Sequence, residues 1–300
     1  MDIIQVITKE LNVEKWQVEA AVKLIDEGCT IPFISRYRKE ATGSLNDEQL
    51  RTLHERLTYL RNLEEKKNQV LGSIEEQGKL TAELKKQILD AQTLVVVEDL
   101  YRPFRPKRRT RAIIAKEKGL EPLANIIMLQ MTDKPIEEEA QDFVSEEKGV
   151  ETVADAINGA KDIIAEHISD EADYRIYLRK LIMDKGSVAS TAKKPEEASV
   201  YEMYYEFEEP IKKLAGHRVL ALNRGEKEKI LTVKVNAPEE EAMGWLQKQV
   251  ITKENPITKP ILREVVEDSY KRLIAPAIER EIRSDLTEKA EDGAIHVFGK

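Results

Sequence analysis

Apolar side chains recur three and four positions apart along most of this chain, the spacing of one face of an α-helix. Asp2 precedes the first such stretch and suits a cap. From Val13 to Glu27 the stripe carries Trp16, Ala20 and Leu24, and Gly28 ends it. Ile31 to Glu40 opens with Pro32 at a helix start, where the missing N–H does no harm. Asn46 caps the longest predicted helix, whose seam reads Leu50, Leu53, Leu57, Leu60, Leu71 and Ile74, interrupted by Glu64 and Lys67. Gly78 stops it, and a second helix from about Thr81 predicts a long helical hairpin. Thr93 to Leu100 fits either a strand or a buried helix. The helical spacing of Leu94, Val97 and Leu100 decides for helix.

Beyond the middle, helices are predicted over Arg111 to Lys118 and Pro122 to Met131, separated by Gly119, and over an acidic segment, 135–148. Val150 to Ala165 and Ala172 to Met183 follow, with Ser169 and Asp170 capping the second. Gly186 to Ala198 is rich in Ser, Thr, Lys and Gly and reads as a linker, which places a boundary near residue 190. Two parts are expected, 1–190 and 191–300. Arg218 to Asn223 and Lys229 to Asn236, with Gly225 at the turn, predict a β-hairpin. Helices over 239–251 and 258–274 lead to a last one opened by Pro276, with Ile278, Ile282, Leu286, Ala290, Ala294 and Phe298 spaced by four. That stripe runs on without a stop, which predicts that the natural protein continues past residue 300. The fold class is all-α, mainly helical, with one small β-hairpin near 218–236.

Composition agrees. Charged residues make up 35% of the chain, above the usual quarter, as long solvated helices require. With 300 residues the expectation is about two domains. No apolar run approaches bilayer length, and the N-terminus lacks the pattern of a signal peptide. The single cysteine, Cys29, excludes an internal disulfide. These features together predict a cytoplasmic protein with no membrane partner.

Catalytic chemistry is not visible. His54, His167, His217 and His296 are scattered, and no phosphate-binding glycine motif or zinc-protease motif occurs. Glu137 to Glu139 and Glu239 to Glu241 read as solvated helix faces. No enzyme, cofactor or metal is expected.

The charge distribution singles out one stretch. Tyr101-Arg-Pro-Phe-Arg-Pro-Lys-Arg-Arg-Thr-Arg111 holds six cations and no acid in a chain of net charge -8. The six are Arg102, Arg105, Lys107, Arg108, Arg109 and Arg111. Cations neutralise phosphates and aromatic faces stack on bases, so these residues beside Tyr101 and Phe104 are the candidate nucleic-acid contacts. The competing reading pairs them with the chain's own carboxylates. Arg36, Arg38 and Lys39 around Tyr37, and His217, Arg218 and Arg224 at the expected hairpin, are weaker cationic groups.

Four ordered blocks resemble the Tex family of bacterial transcription accessory proteins. They are Ile31 to Gly43, Val97 to Arg111 with Ala115 to Ala124, Gly159 to Glu166, and His217 to Glu226. The resemblance covers essentially the whole chain. It implies an N-terminal portion that ends before a YqgF-type domain, a helix-hairpin-helix module and an OB-fold RNA-binding domain. It also implies an elongated helical body with a helix-turn-helix-like portion. As function it implies a scaffold that supports transcription in a protein binding nucleic acid, RNA ahead of DNA. The alternative is a protein-interaction scaffold on RNA polymerase with no nucleic-acid binding of its own.

Overall fold

The computed structural model describes the backbone of residues 1–298 and side chains through residue 292. It is mainly helical, with one three-stranded antiparallel sheet. Ala294, His296 and Phe298 lie outside the residues whose side chains are described. The chain divides into two compact units, Met1–Phe104 and Arg105–Lys300.

The first unit contains α1 (Ile3–Leu11), α2 (Lys15–Asp26), α3 (Ile31–Tyr37), α4 (Lys39–Thr42), α5 (Asp47–Glu76), α6 (Ala82–Asp90) and α7 (Leu94–Tyr101). Their starts follow capping chemistry. Asp2, Thr30, Asn46, Thr81 and Thr93 each accept from the N–H three residues on. Asn46 and Gln49 form a reciprocal capping box at 2.8 and 3.0 Å. Gly28 and Gly78 take positive φ after α2 and α5, as C-terminal turns require.

The 30 residues of α5 span about 45 Å. Its buried stripe is Leu50, Leu53, Leu57, Leu60, Leu63, Lys67, Val70 and Ile74. Lys67 therefore belongs to the seam it was expected to interrupt. Its stem is buried with the leucines, and its ammonium donates to the Leu89 carbonyl at 2.6 Å, in the last turn of α6. That cation meets the negative end of the helix dipole. In α2 the buried face is Val18, Ala21 and Val22 rather than the face of Trp16. The valine stripe wins because it meets the core shared with Ile7, Ile34 and Leu50, and Trp16 is left 53% exposed.

The second unit contains α8 (Arg111–Glu117), α9 (Glu121–Leu129), α10 (Ile136–Gln141), α11 (Val153–Asp170), α12 (Ala172–Lys185), β1 (Ser187–Ala192), β2 (Glu206–Pro210), α13 (Gly216–Lys227), β3 (Leu231–Asn236), α14 (Glu239–Val250), α15 (Thr258–Asp268) and α16 (Ala275–Phe298). One core runs through it, from Ala112 and Leu123 through Ile164 and Leu178 to Val266 and Ile278.

Several expectations are corrected in this unit. The expected linker is instead the central strand. β1 pairs antiparallel with β2 on one side and β3 on the other, with Ser190 opposite Phe207 and Val233. Small residues hide this strand in the sequence, since Val188, Ala189 and Ser190 are buried without large side chains. Residue 190 lies within β1, and the two compact units are Met1–Phe104 and Arg105–Lys300.

The first half of the expected hairpin, 218–223, is helical. Val219 and Leu222 turn inward at helical spacing, and only 231–236 is strand. Gly225 serves close packing rather than a turn, because a Cβ there would sit 2.5 Å from Leu231 Cδ1. The acidic helix is shorter than expected, ending at Gln141. Asp170 closes α11 and Glu171 stands at the α12 start, so Ser169 and Asp170 do not cap α12. Ser169 instead holds Arg175, accepting at its carbonyl (2.5 Å) and its hydroxyl (2.9 Å). Finally, α15 joins α16 through a π-turn, Ser269–Ile274. The wider turn lies directly before Pro276, which has no N–H to donate and would crowd an ordinary preceding turn.

Candidate nucleic-acid interface

The basic run straddles the border between the two units. Its first part, 101–104, belongs to the first. Tyr101 closes α7, its hydroxyl 2.8 Å from that of Ser73. Gln77 donates to the Phe104 carbonyl at 2.9 Å. Both rings pack on the core of α5 and α7. Both are half-buried, and each ring serves the packing of the first unit. Arg102 is the half-buried residue ending α7.

The second part, 105–111, belongs to the second unit. Thr110 caps α8, accepting from Ile113 N at 3.2 Å. Lys107 is half-buried and donates to Glu166 Oε1 at 2.9 Å and to Asp170 Oδ2. Those two carboxylates stand four residues apart on α11. Asp162, four residues earlier, extends the acidic stripe. Burial pushes the Asp162 carboxyl up, while Arg272 and then Arg111 pull it down. Arg272 lies 4.0 Å from Asp162 and 3.0 Å from Asp268. Like charges at this spacing repel, and acids in a last helical turn oppose the dipole. Lys107 offsets both.

The remaining cations differ. Arg109 pairs with Glu117 at 2.8 Å, and both are exposed, so this contact contributes little. Arg105 and Arg108 are exposed. Among the described residues Arg108 has no ion-pair partner. Arg111 begins α8 and, with Lys118, lines one side of a cleft of about 310 Å³ that also presents Glu151, Asp155 and Asp162. Such mixed signs do not make an anion site. The six candidates thus separate: Arg102 is half-buried at the end of α7, Lys107 and Arg111 face the acidic stripe, and Arg105, Arg108 and Arg109 are exposed.

The other cationic groups also find places. Arg218 lies 3.7 Å from Glu209 and over the Phe207 ring. Arg224 falls in the last turn of α13, not at a hairpin tip. The two Glu triplets occupy the first turns of α10 and α14, where carboxylates complement the dipole. Trp16, Phe33 and Tyr37 are exposed; the sequence reading put Trp16 on an apolar stripe, noted Tyr37 only between weaker cations and passed over Phe33. The signal was the group Arg36, Arg38 and Lys39 among them. No helix among the described residues is long and apolar enough to cross a membrane.

Two family descriptions match the chain. The Tex-like protein N-terminal domain covers residues 1–75, and the Tex central region-like domain covers residues 131–298. The Bacillus subtilis protein YdcI is 49% identical over 299 residues, which are 99% of this chain and 42% of that protein. The transcriptional accessory protein Tex of Neisseria gonorrhoeae is 36% identical over 307 residues, 100% of this chain and 40% of the relative. Human S1 RNA-binding domain-containing protein 1 is 31% identical over 315 residues, 100% of this chain and 31% of the relative. This chain spans about two fifths of the length of the bacterial relatives named here. Because the central-region match alone takes up more than half of the 300 residues, the chain belongs to the Tex family.

Proposed function

We propose that this chain is the N-terminal, non-catalytic scaffold of a cytoplasmic transcription accessory protein that binds nucleic acid, RNA ahead of DNA. One observation carries the reading. The full length of the chain aligns with a relative named for transcriptional accessory action and with one named for an S1 RNA-binding domain. The geometry supports a local contact only. Arg108, exposed and without an ion pair among the described residues, can neutralise phosphate, with Arg105 and Arg109 exposed beside it, while Lys107 holds the loop before α8 to α11 and Arg111 faces the same acidic stripe.

Anisotropy of labelled single-stranded RNA and duplex DNA, over a salt series from about 50 to about 300 mM, tests this. The expected result is RNA binding that weakens with salt, with a log-log slope of about -2 for three phosphate contacts. No RNA binding at the lowest salt overturns it. A second reading would then take over, a scaffold that contacts RNA polymerase. It is supported by the apolar side chains at the end of α9 and just beyond it, Leu129 and Met131, which are 62% and 71% exposed. Its mark is co-sedimentation with the polymerase.

A further inference from the structure

Among the described residues the exposed aromatic rings are Trp16, Phe33, Tyr37 and Tyr177. Three of these four fall within α2 and α3. None of the three belongs to the core of the first unit, in contrast with Tyr101 and Phe104. Phe33, Arg36 and Tyr37 stand at i, i+3 and i+4, so they share the outward face of α3, while Ile34 is buried on the other. The Phe33 and Tyr37 rings are 5.4 Å apart and tilted, and the Arg38 guanidinium lies 5.6 Å from the Phe33 centroid.

Trp16 is held in place as well as exposed. Its ring edge occupies the space of the absent Gly43 side chain, 2.6 Å from where a Cβ would be. Beside it, Gln17 Nε2 donates to the carbonyls of Thr42 and Gly43 at 3.0 and 3.2 Å. This ties α2 to the end of α4. The ring therefore presents a fixed face.

The charge around these rings favours an anion. Between residues 30 and 46 the cations are Arg36, Arg38 and Lys39, and the only acid is Glu40, in a chain of net charge -8. Glu40 reaches Arg38 at 3.8 Å and both are exposed, so the pair is weak. Arg36 and Lys39 are exposed and have no ion-pair partner among the described residues. On α2, Glu19 is matched by Lys15 at 3.8 Å, and Glu14 is engaged in the capping box.

We infer that the face formed by α2, α3 and α4 is a binding surface for single-stranded nucleic acid, with Trp16, Phe33 and Tyr37 stacking on bases and Arg36, Arg38 and Lys39 contacting phosphates. Unpaired bases offer the flat faces that such rings need, whereas a duplex hides them. This rests on the reading that the chain binds nucleic acid, and adds to it a surface outside the basic run. A protein partner is the other occupant of exposed rings and is an outcome of the test.

The test measures anisotropy with a labelled single-stranded oligouridine and with an abasic oligomer of equal length. Wild type, Trp16→Ala, Tyr37→Ala, Tyr37→Phe and Arg108→Ala are compared, with circular dichroism confirming their fold. Oligouridine should bind wild type at least about tenfold tighter than the abasic oligomer. Tyr37→Ala and Trp16→Ala should each lose about tenfold toward oligouridine and little toward the abasic strand, and Tyr37→Phe should retain binding. Equal binding of both oligomers by wild type, or no loss in the two alanine variants, overturns the inference. In that case oligouridine binding lost in Arg108→Ala would leave the proposed function standing. Alanine variants that keep RNA but lose co-sedimentation with RNA polymerase would assign the face to a protein. A wild type that binds neither oligomer sinks both proposals.

Discussion

The ammonium of Lys107 donates to Glu166 of α11 at 2.9 Å, with Asp170 one turn on as its second acceptor. A cation from the most basic stretch of the chain is thus matched to the chain's own carboxylates. Arg108, the next residue, has the opposite character, being exposed and without an ion pair among the described residues. Arg108→Ala should leave stability within about 0.5 kcal/mol in urea denaturation. If the arginine touches phosphate, the same change should flatten the salt dependence of RNA binding by about 0.7 in log-log slope.

Lys67 sits in the apolar seam of α5, and burial pushes its pKa below the usual value, with Glu64 and Asp90 opposing. The folded state then gives up that proton before the unfolded chain does. Between the two pKa values the unfolded chain binds more protons, so this group's contribution to stability rises with pH, up to the ordinary lysine value of 10.5. Lys67→Met keeps the stem's packing and removes the buried charge. It should be as stable as wild type or more so at neutral pH, with the advantage shrinking toward pH of about 10. Urea midpoints of both proteins at the two pH values check this.

Gly43 has φ of 65° and faces Trp16 and Gln17 where a side chain would project. Gly43→Ala meets both the left-handed backbone penalty and a displaced neighbour. A loss of about 1–2 kcal/mol is expected. Tryptophan emission should shift as Trp16 moves. An unshifted spectrum with an unchanged midpoint would contradict the packing described for this corner.

Tyr270 is 2% exposed, and its hydroxyl has no hydrogen-bond partner among the described residues. Burial, with the Glu239 carboxylate nearby, pushes its pKa up to about 12. The unfolded chain loses this proton first, so the group's contribution is intact below pH of about 10 and is lost as pH rises toward about 12. Tyr270→Phe should match or exceed wild-type stability at neutral pH, because the hydroxyl gains nothing there. It should also fall less steeply in alkali. Thermal unfolding of both proteins from pH of about 8 upward reads the difference.

Local rules made much of this fold legible. Asp2, Asn46 and Thr81 announce helix starts through side chains that accept an N–H three residues on, and Gly28 and Gly78 announce ends through positive φ. What escaped depended on tertiary packing. β1 reads as a linker because its place between β2 and β3 needs only Val188, Ala189 and Ser190 inside. Arg218 to Asn223 reads as a strand because a short apolar run carries no period of its own. The same limit applies to the site. Tyr101 and Phe104 stand among cations in the sequence and yet pack inward, while Trp16 lies on a helix whose core face is set by Val18 and Val22. Which ring meets solvent is decided by neighbours distant in the chain.

The most direct test of the account is Lys107→Ala, with stability and RNA affinity measured on the same preparation. Loss of the cation leaves Glu166 and Asp170 facing each other in a half-buried setting, and a fall of about 1–3 kcal/mol in unfolding free energy is expected. RNA affinity under folding conditions should stay at the wild-type value. An unchanged urea midpoint together with weakened RNA binding would show that Lys107 serves phosphate and not α11, and would contradict the account.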